Sequence, residues 1–179
     1  MSRGLGVDEE LARLLTGGCA DAPPSGMSLF EIDAEASGAA RQVLDRSREV
    51  LTTILRAMRS APAGDKASEP ALPRWFLDAS GPERSPAEAR EWLDELARMP
   101  EAERENAEAA ERWSVSDFLY WFEPDQREWW WWGAEVRDED NVRICLVIRE
   151  FSVPHEALDW LLRASGAQNV VDENVRDLS

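Results

Sequence analysis

Apolar positions along the chain follow two periods. Between 128 and 150 they alternate. Glu128-Trp129-Trp130-Trp131-Trp132-Gly133-Ala134-Glu135-Val136 is followed by a polar run, Asp138-Glu139-Asp140-Asn141, and then by Val142-Arg143-Ile144-Cys145-Leu146-Val147-Ile148-Arg149. Four consecutive tryptophans would point all round a helix axis, whereas a strand sends successive side chains to opposite faces. The β-branched second segment fits the strand reading. The pattern predicts a β-hairpin over about 128–150 as the centre of the fold. Pairing Val136 with Val142 sets Ala134 opposite Ile144, Trp132 opposite Leu146 and Trp130 opposite Ile148, one wholly apolar face. The other face then carries Trp129, Trp131, Val147 and Arg149, with Glu135 opposite Arg143. In this register Trp130 and Trp132 belong to the core. Trp129, Trp131, Arg149, Arg143 and Glu135 become the candidate partner-binding residues, because tryptophan and arginine are enriched in interface hot spots. The plainer alternative is that the chain's own helices cover that face.

Elsewhere the period is helical. Ala40, Val43, Leu44, Ser47, Val50, Leu51, Ile54, Leu55 and Met58 recur at three- and four-residue steps and predict an amphipathic helix over 36–59. Ser85-Pro86-Ala87-Glu88 combines a serine cap, a proline at the first helical position and a glutamate three after the cap. The helix it starts, 86–98, is expected to turn Ala89, Trp92, Leu93, Leu96 and Ala97 inward. An acidic, alanine-rich helix follows over 101–112, exposed on most of its surface. Ser114 to Asp117 repeats the capping spacing ahead of Phe118-Leu119-Tyr120-Trp121-Phe122, a run so apolar that it must be buried or serve as a binding element. A last helix over 155–165 is closed by Gly166. Short strands are expected near 75 and 170. Together these predict an α+β fold: a small, mostly antiparallel sheet centred on the hairpin and packed by several helices.

Residues 1–34 read as a partly flexible N-terminal arm, with a short helix through Leu11, Leu14 and Leu15 capped by Asp8, and a loop at Asp21-Ala22-Pro23-Pro24-Ser25-Gly26. Residues 35–179 read as a single domain with a Pro- and Gly-bearing linker at 61–73, and the tail from Asp172 as frayed.

Charge narrows the choice of partner. The 179 residues hold 36 acidic against 20 basic side chains, a net charge of −16. Such a surface repels phosphate and disfavours direct nucleic-acid binding, while suiting solubility or a basic protein partner. Lys66 is the only lysine, a usage expected of a GC-rich, bacterial coding sequence. The two cysteines, Cys19 and Cys145, read as unrelated, one in a loop and one in a strand, and predict neither a disulfide framework nor a metal site. No run approaches the roughly 18 apolar residues of a membrane span. A cytoplasmic protein is expected.

Candidate chemistry is thin. His155, the single histidine, follows Pro154 at a helix start, where the helix dipole would lower its pKa. No serine elbow, phosphate loop or zinc spacing accompanies it, and no cofactor is expected. The 138–141 turn lacks the glycine and glutamate of a calcium loop. The leading expectation is a non-enzymatic, acidic protein-interaction module, in character an immunity- or antitoxin-type inhibitor or accessory protein. One alternative is a ligand-binding or hydrolytic domain in which Trp129, Trp131 and Tyr120 line a pocket with a carboxylate of raised pKa. Another is a structural subunit of a larger assembly.

Overall fold

A computed structural model describes residues 4–61 and 69–172. In chain order its elements are α1 (Val7–Thr16), β1 (Ser28–Glu35), α2 (Ala40–Ser60), α3 (Arg74–Ala79), α4 (Pro86–Arg98), α5 (Glu101–Ala110), α6 (Val115–Tyr120), β2 (Trp129–Val136), β3 (Asn141–Ile148), α7 (Glu156–Ser165) and β4 (Asn169–Asp172). The fold is α+β. One antiparallel sheet has the order β2-β3-β1-β4, with the tryptophan-rich hairpin as β2 and β3. β3 and β4 both pair with, or flank, β1 in antiparallel fashion, so they run parallel to each other. The α7 crossover therefore steps over β1 rather than joining neighbouring strands.

The inner face of the sheet carries Phe30, Ile32 and Ala34 from β1 with Val142, Ile144, Leu146 and Ile148 from β3. On it lie α2, whose whole Val43-to-Leu55 stripe is buried, and α7, which contributes Ala157, Leu158, Leu161 and Leu162. At the end of this core Phe76, Phe118, Phe122 and Trp129 form a chain of ring contacts with centroids 4.9 to 5.6 Å apart. That chain ties α3 and α6 to β2. Burying aromatic rings of this size contributes several kcal/mol each, at about 25 cal/mol per Å² over roughly 200 Å². Among the described residues no helix is long and apolar enough to cross a membrane.

The register of the hairpin departs from the expectation halfway along. Val136 pairs with Val142, Glu135 with Arg143, Ala134 with Ile144 and Gly133 with Cys145, as predicted. Trp132 is then the extra residue of a β-bulge, and Trp131, Trp130 and Trp129 pair with Leu146, Val147 and Ile148. One inserted residue exchanges the faces of everything beyond it. Trp129 and Trp131 are therefore the core tryptophans, 1% and 0% exposed, and Trp130 and Trp132 lie on the outer face with Leu5 and Val147. The predicted assignment of the four is reversed.

Residues 4–27 explain the bulge. Helix α1 runs along the β2 edge and satisfies the backbone groups that a bare edge strand would expose. Glu10 Oε1 accepts the Trp131 N–H at 2.7 Å, Arg13 Nε donates to the Trp132 carbonyl at 2.6 Å, and the Gly17 carbonyl accepts the Ala134 N–H at 3.2 Å. The Arg13 guanidinium lies 3.7 Å above the Trp132 ring, and the indole N–H donates to the Asp21 carbonyl. Backbone meets backbone here: a Cβ on Gly17 would stand 2.2 Å from the Trp132 carbonyl oxygen, and one on Gly133 would stand 2.6 Å from Gly18. Beyond this contact the chain crosses the outer face, and Cys19 forms a disulfide with Cys145. The reading of the cysteines as unrelated is thereby corrected. They are 126 residues apart in sequence, and only the wrap of the arm over Gly133 brings them together.

Ser28–Glu35, all but its last residue assigned by sequence to the arm, forms the inner strand β1. Arg143 crosses from β3 to bind Asp33 through two hydrogen bonds of 2.7 Å and Glu31 through one of 3.0 Å. The strand expected near 75 is instead the helix α3; Phe76 plugs the core and the Arg112 side chain binds the carbonyls of Asp78, Ala79 and Ser80 at its C-terminus. Of the linker expected at 61–73, residues 62–68 lie outside the described residues, as does the tail from 173. The 137–141 turn is a structural joint. Asp138 Oδ1 accepts the Asp140 and Asn141 N–H groups, which hold its pKa below the usual aspartate value. The Glu139 carbonyl accepts the first helical N–H of α2, that of Ala40.

Candidate functional site

Helices α4 and α5 pack on one another and stand off the sheet. α4 buries only Leu96, and no described side chain of α5 is buried. Leu93, expected inward, is 63% exposed, because α5 offers alanine and glutamate rather than a large apolar partner. The base of this helical pair is fixed by backbone. The Gly81 N–H donates to the Trp113 carbonyl at 2.8 Å, and a Cβ on Gly81 would fall 2.1 Å from the Arg112 carbonyl oxygen. Ser85 and Glu88 complete the predicted capping box of α4. Glu83 accepts the Ser116 N–H at the start of α6.

Where the 81–85 segment, α4, the end of α5 and α6 converge they form an open cleft of about 390 Å³. Trp92, Trp113, Tyr120 and Trp121 line it together with Arg84, Glu111 and Asp117. The split of the α6 segment produces half of this wall. Phe118 and Phe122 enter the core, while Tyr120 (45% exposed) and the half-buried Trp121 turn outward, in edge contact at 5.5 Å. Arg84 lies with its guanidinium carbon 5.0 Å from the Trp92 ring centroid and donates to the Glu111 carboxylate. That hydrogen bond raises the already high Arg84 pKa, so the cation is permanent. Asp117 Oδ2 accepts from the Ser114 hydroxyl at 2.8 Å. The cleft thus offers π faces and negative oxygens, a combination that attracts cations.

The predicted partner-binding residues do not share one exposed face. Trp129 and Trp131 are inside the core. Arg143 is bound to Asp33 and Glu31 on the outer face of the sheet, Glu135 is exposed beside it, and Arg149 is exposed just past the end of β3. Tyr120, named in the ligand-binding alternative, does line the cleft, but with Trp92, Trp113 and Trp121 as its aromatic neighbours. Sequence reasoning assigned Trp92 to the core and did not single out Trp113 or Arg84.

Comparison with protein-family models, with curated proteins and with solved structures returned no match.

Glu10 and His155 lie outside the cleft, and both have displaced pKa values. Glu10 is buried beneath α1, paired with Arg127 and hydrogen-bonded by the Trp131 N–H. Burial raises its pKa, opposed by Arg127 and by that N–H. The Arg127 guanidinium in turn lies against the Phe122–Trp129 ring pair, 5.6 Å from each centroid. The carboxylate of raised pKa thus belongs to the arm–sheet joint. His155 Nδ1 lies 3.1 Å from Asp159 Oδ1, Nε2 lies 3.9 Å from Asp172, and the ring packs on Phe30 at 5.2 Å. The Asp159 hydrogen bond raises the His155 pKa, opposite to the lowering expected from the helix start.

Proposed function

We propose that the protein is a non-catalytic, acidic binding module that recognises a basic segment of another protein through the cleft of Trp92, Trp113, Tyr120 and Trp121. The observation that carries this reading is the convergence of four partly exposed aromatic side chains with Glu111 and Asp117 in one concavity. Tryptophan and tyrosine in a desolvated pocket are the residues that anchor interfaces. The helices beside the cleft reinforce the sign of the partner: residues 86–111 hold nine carboxylates against three arginines, a field that speeds association with a basic surface and repels nucleic acid. An immunity- or antitoxin-type inhibitor of a basic toxin has this character. Hydrolysis is the weaker reading because both carboxylates are engaged, Glu111 by Arg84 and Asp117 by the Ser114 cap. The compartment expected from composition was the cytoplasm. The Cys19–Cys145 disulfide is better matched to an oxidising compartment.

Calorimetric titration with a hexa-arginine peptide tests the reading. Binding is expected to weaken with added salt, and Tyr120→Ala, which removes an exposed side chain, is expected to weaken it by about tenfold, the scale of a hot-spot residue. Equal affinity of wild type and Tyr120→Ala contradicts the assignment of the cleft. Tight binding of an uncharged oligosaccharide such as cellohexaose, with none of the peptide, would replace the partner class.

A further inference from the structure

The cleft already contains one cation, and it belongs to the chain itself. Arg84 occupies the position that an incoming basic group would need: its guanidinium faces Trp92 at 5.0 Å and holds Glu111. Resting on the binding reading above, we propose that Arg84 is an intramolecular stand-in for an arginine of the partner, so that engagement exchanges one guanidinium for another.

Three observations support exchange rather than a fixed structural role. First, Arg84 lies in the 81–85 segment between α3 and α4, not within a helix, and a third of its side chain is exposed (33%). Exposed ion pairs contribute little to stability, so releasing this one is cheap. Second, Glu88 and Asp117 both interact with Arg84 electrostatically; each already accepts one hydrogen bond at a helix cap, and a carboxylate can accept further donors from the released side chain. Third, a neighbouring indole and carboxylate together suit arginine better than lysine. A planar guanidinium can stack on an indole while donating in its own plane to a carboxylate, which a lysine ammonium does less well. An arginine arriving from outside would recover both contacts and add Trp113, Tyr120 and Trp121, which line the same cleft. The stand-in also keeps aromatic faces and a carboxylate occupied in the free protein, limiting promiscuous capture of cations.

The test is the affinity of hexa-arginine and hexa-lysine peptides for wild type, Arg84→Gln and Arg84→Lys, with Tyr120→Ala as the reference for binding in the cleft. Removal of an internal competitor is expected to tighten hexa-arginine binding to Arg84→Gln by about tenfold. Arg84→Lys is expected to lie between wild type and Arg84→Gln, and hexa-lysine to gain less than hexa-arginine. Circular dichroism of each variant confirms that it is folded. Unchanged or weaker hexa-arginine binding by Arg84→Gln, with Tyr120→Ala still impaired, overturns the stand-in and leaves the cleft as a binding site. No peptide binding by wild type and Arg84→Gln alike overturns the binding reading itself.

Discussion

At the scale of single residues, the least accommodated group is Glu10. Its Oε2, the Arg127 Nε and the Trp131 indole N–H are all buried and find no hydrogen-bond partner among the described residues, so the pair is held by one carboxylate oxygen. Buried ion pairs of this kind often gain less from attraction than they lose in desolvation. Because the folded pKa of Glu10 is raised above the unfolded value, the stability it contributes is fully present below the unfolded pKa and is lost as pH rises through the folded one. Glutamine imitates the protonated side chain at every pH. Urea midpoints of Glu10→Gln relative to wild type are therefore expected to climb as pH rises from about 4 to about 8, across the carboxylate range and beyond. A relative stability that falls over that range would show that Arg127 outweighs burial.

At the scale of elements, the clearest consequence concerns residues 4–27. They run along the β2 edge and over the outer face, and the Cys19–Cys145 bond fixes the crossing. A cross-link closing a loop of this length stabilises chiefly by restricting the unfolded chain. Cys19→Ser is expected to reduce stability by about 2–5 kcal/mol, read as a shift in the urea midpoint, and wild type in reductant should match it. No loss in either would mean that the hydrogen bonds of Arg13, Gly17 and Trp132 hold the arm unaided. The helices and the hairpin were legible because their signals are local: a capping box at Ser85, a 3.6-residue stripe from Val43 to Leu55, a polar turn at 138. β1 was passed over although Phe30, Ile32 and Ala34 alternate with Glu31, Asp33 and Glu35. Carboxylates are depleted in strands, and it takes Arg143, more than a hundred residues away, to stabilise these. The bulge at Trp132 was equally out of reach. Nothing within the hairpin calls for it; the Arg13 side chain and the Gly17 backbone do. The cleft failed for the same reason. Trp92 sits on the apolar stripe of α4, but that stripe packs chiefly on the alanine- and glutamate-rich α5, so a residue read as core became part of a surface.

At the scale of the whole molecule, the nine tryptophans divide by role. Trp129 and Trp131 build the core, Trp130 and Trp132 lie on the sheet face that the arm crosses, Trp75 packs under Arg46 and donates to Glu49, and Trp160 on α7 packs against the core. Trp92, Trp113 and Trp121 remain, half-buried, in a cleft beside the most acidic helices of a chain carrying −16, with Trp113 and Trp121 also resting against the core on their other side. Each indole N–H gives its own signal in a proton–nitrogen correlation spectrum, so the division can be read directly. On titration with hexa-arginine, the indole signals of Trp92, Trp113 and Trp121 are expected to shift together while those of Trp129, Trp130, Trp131 and Trp132 stay in place. Shifts confined to the hairpin tryptophans, or no indole shift at saturating peptide, would contradict the account.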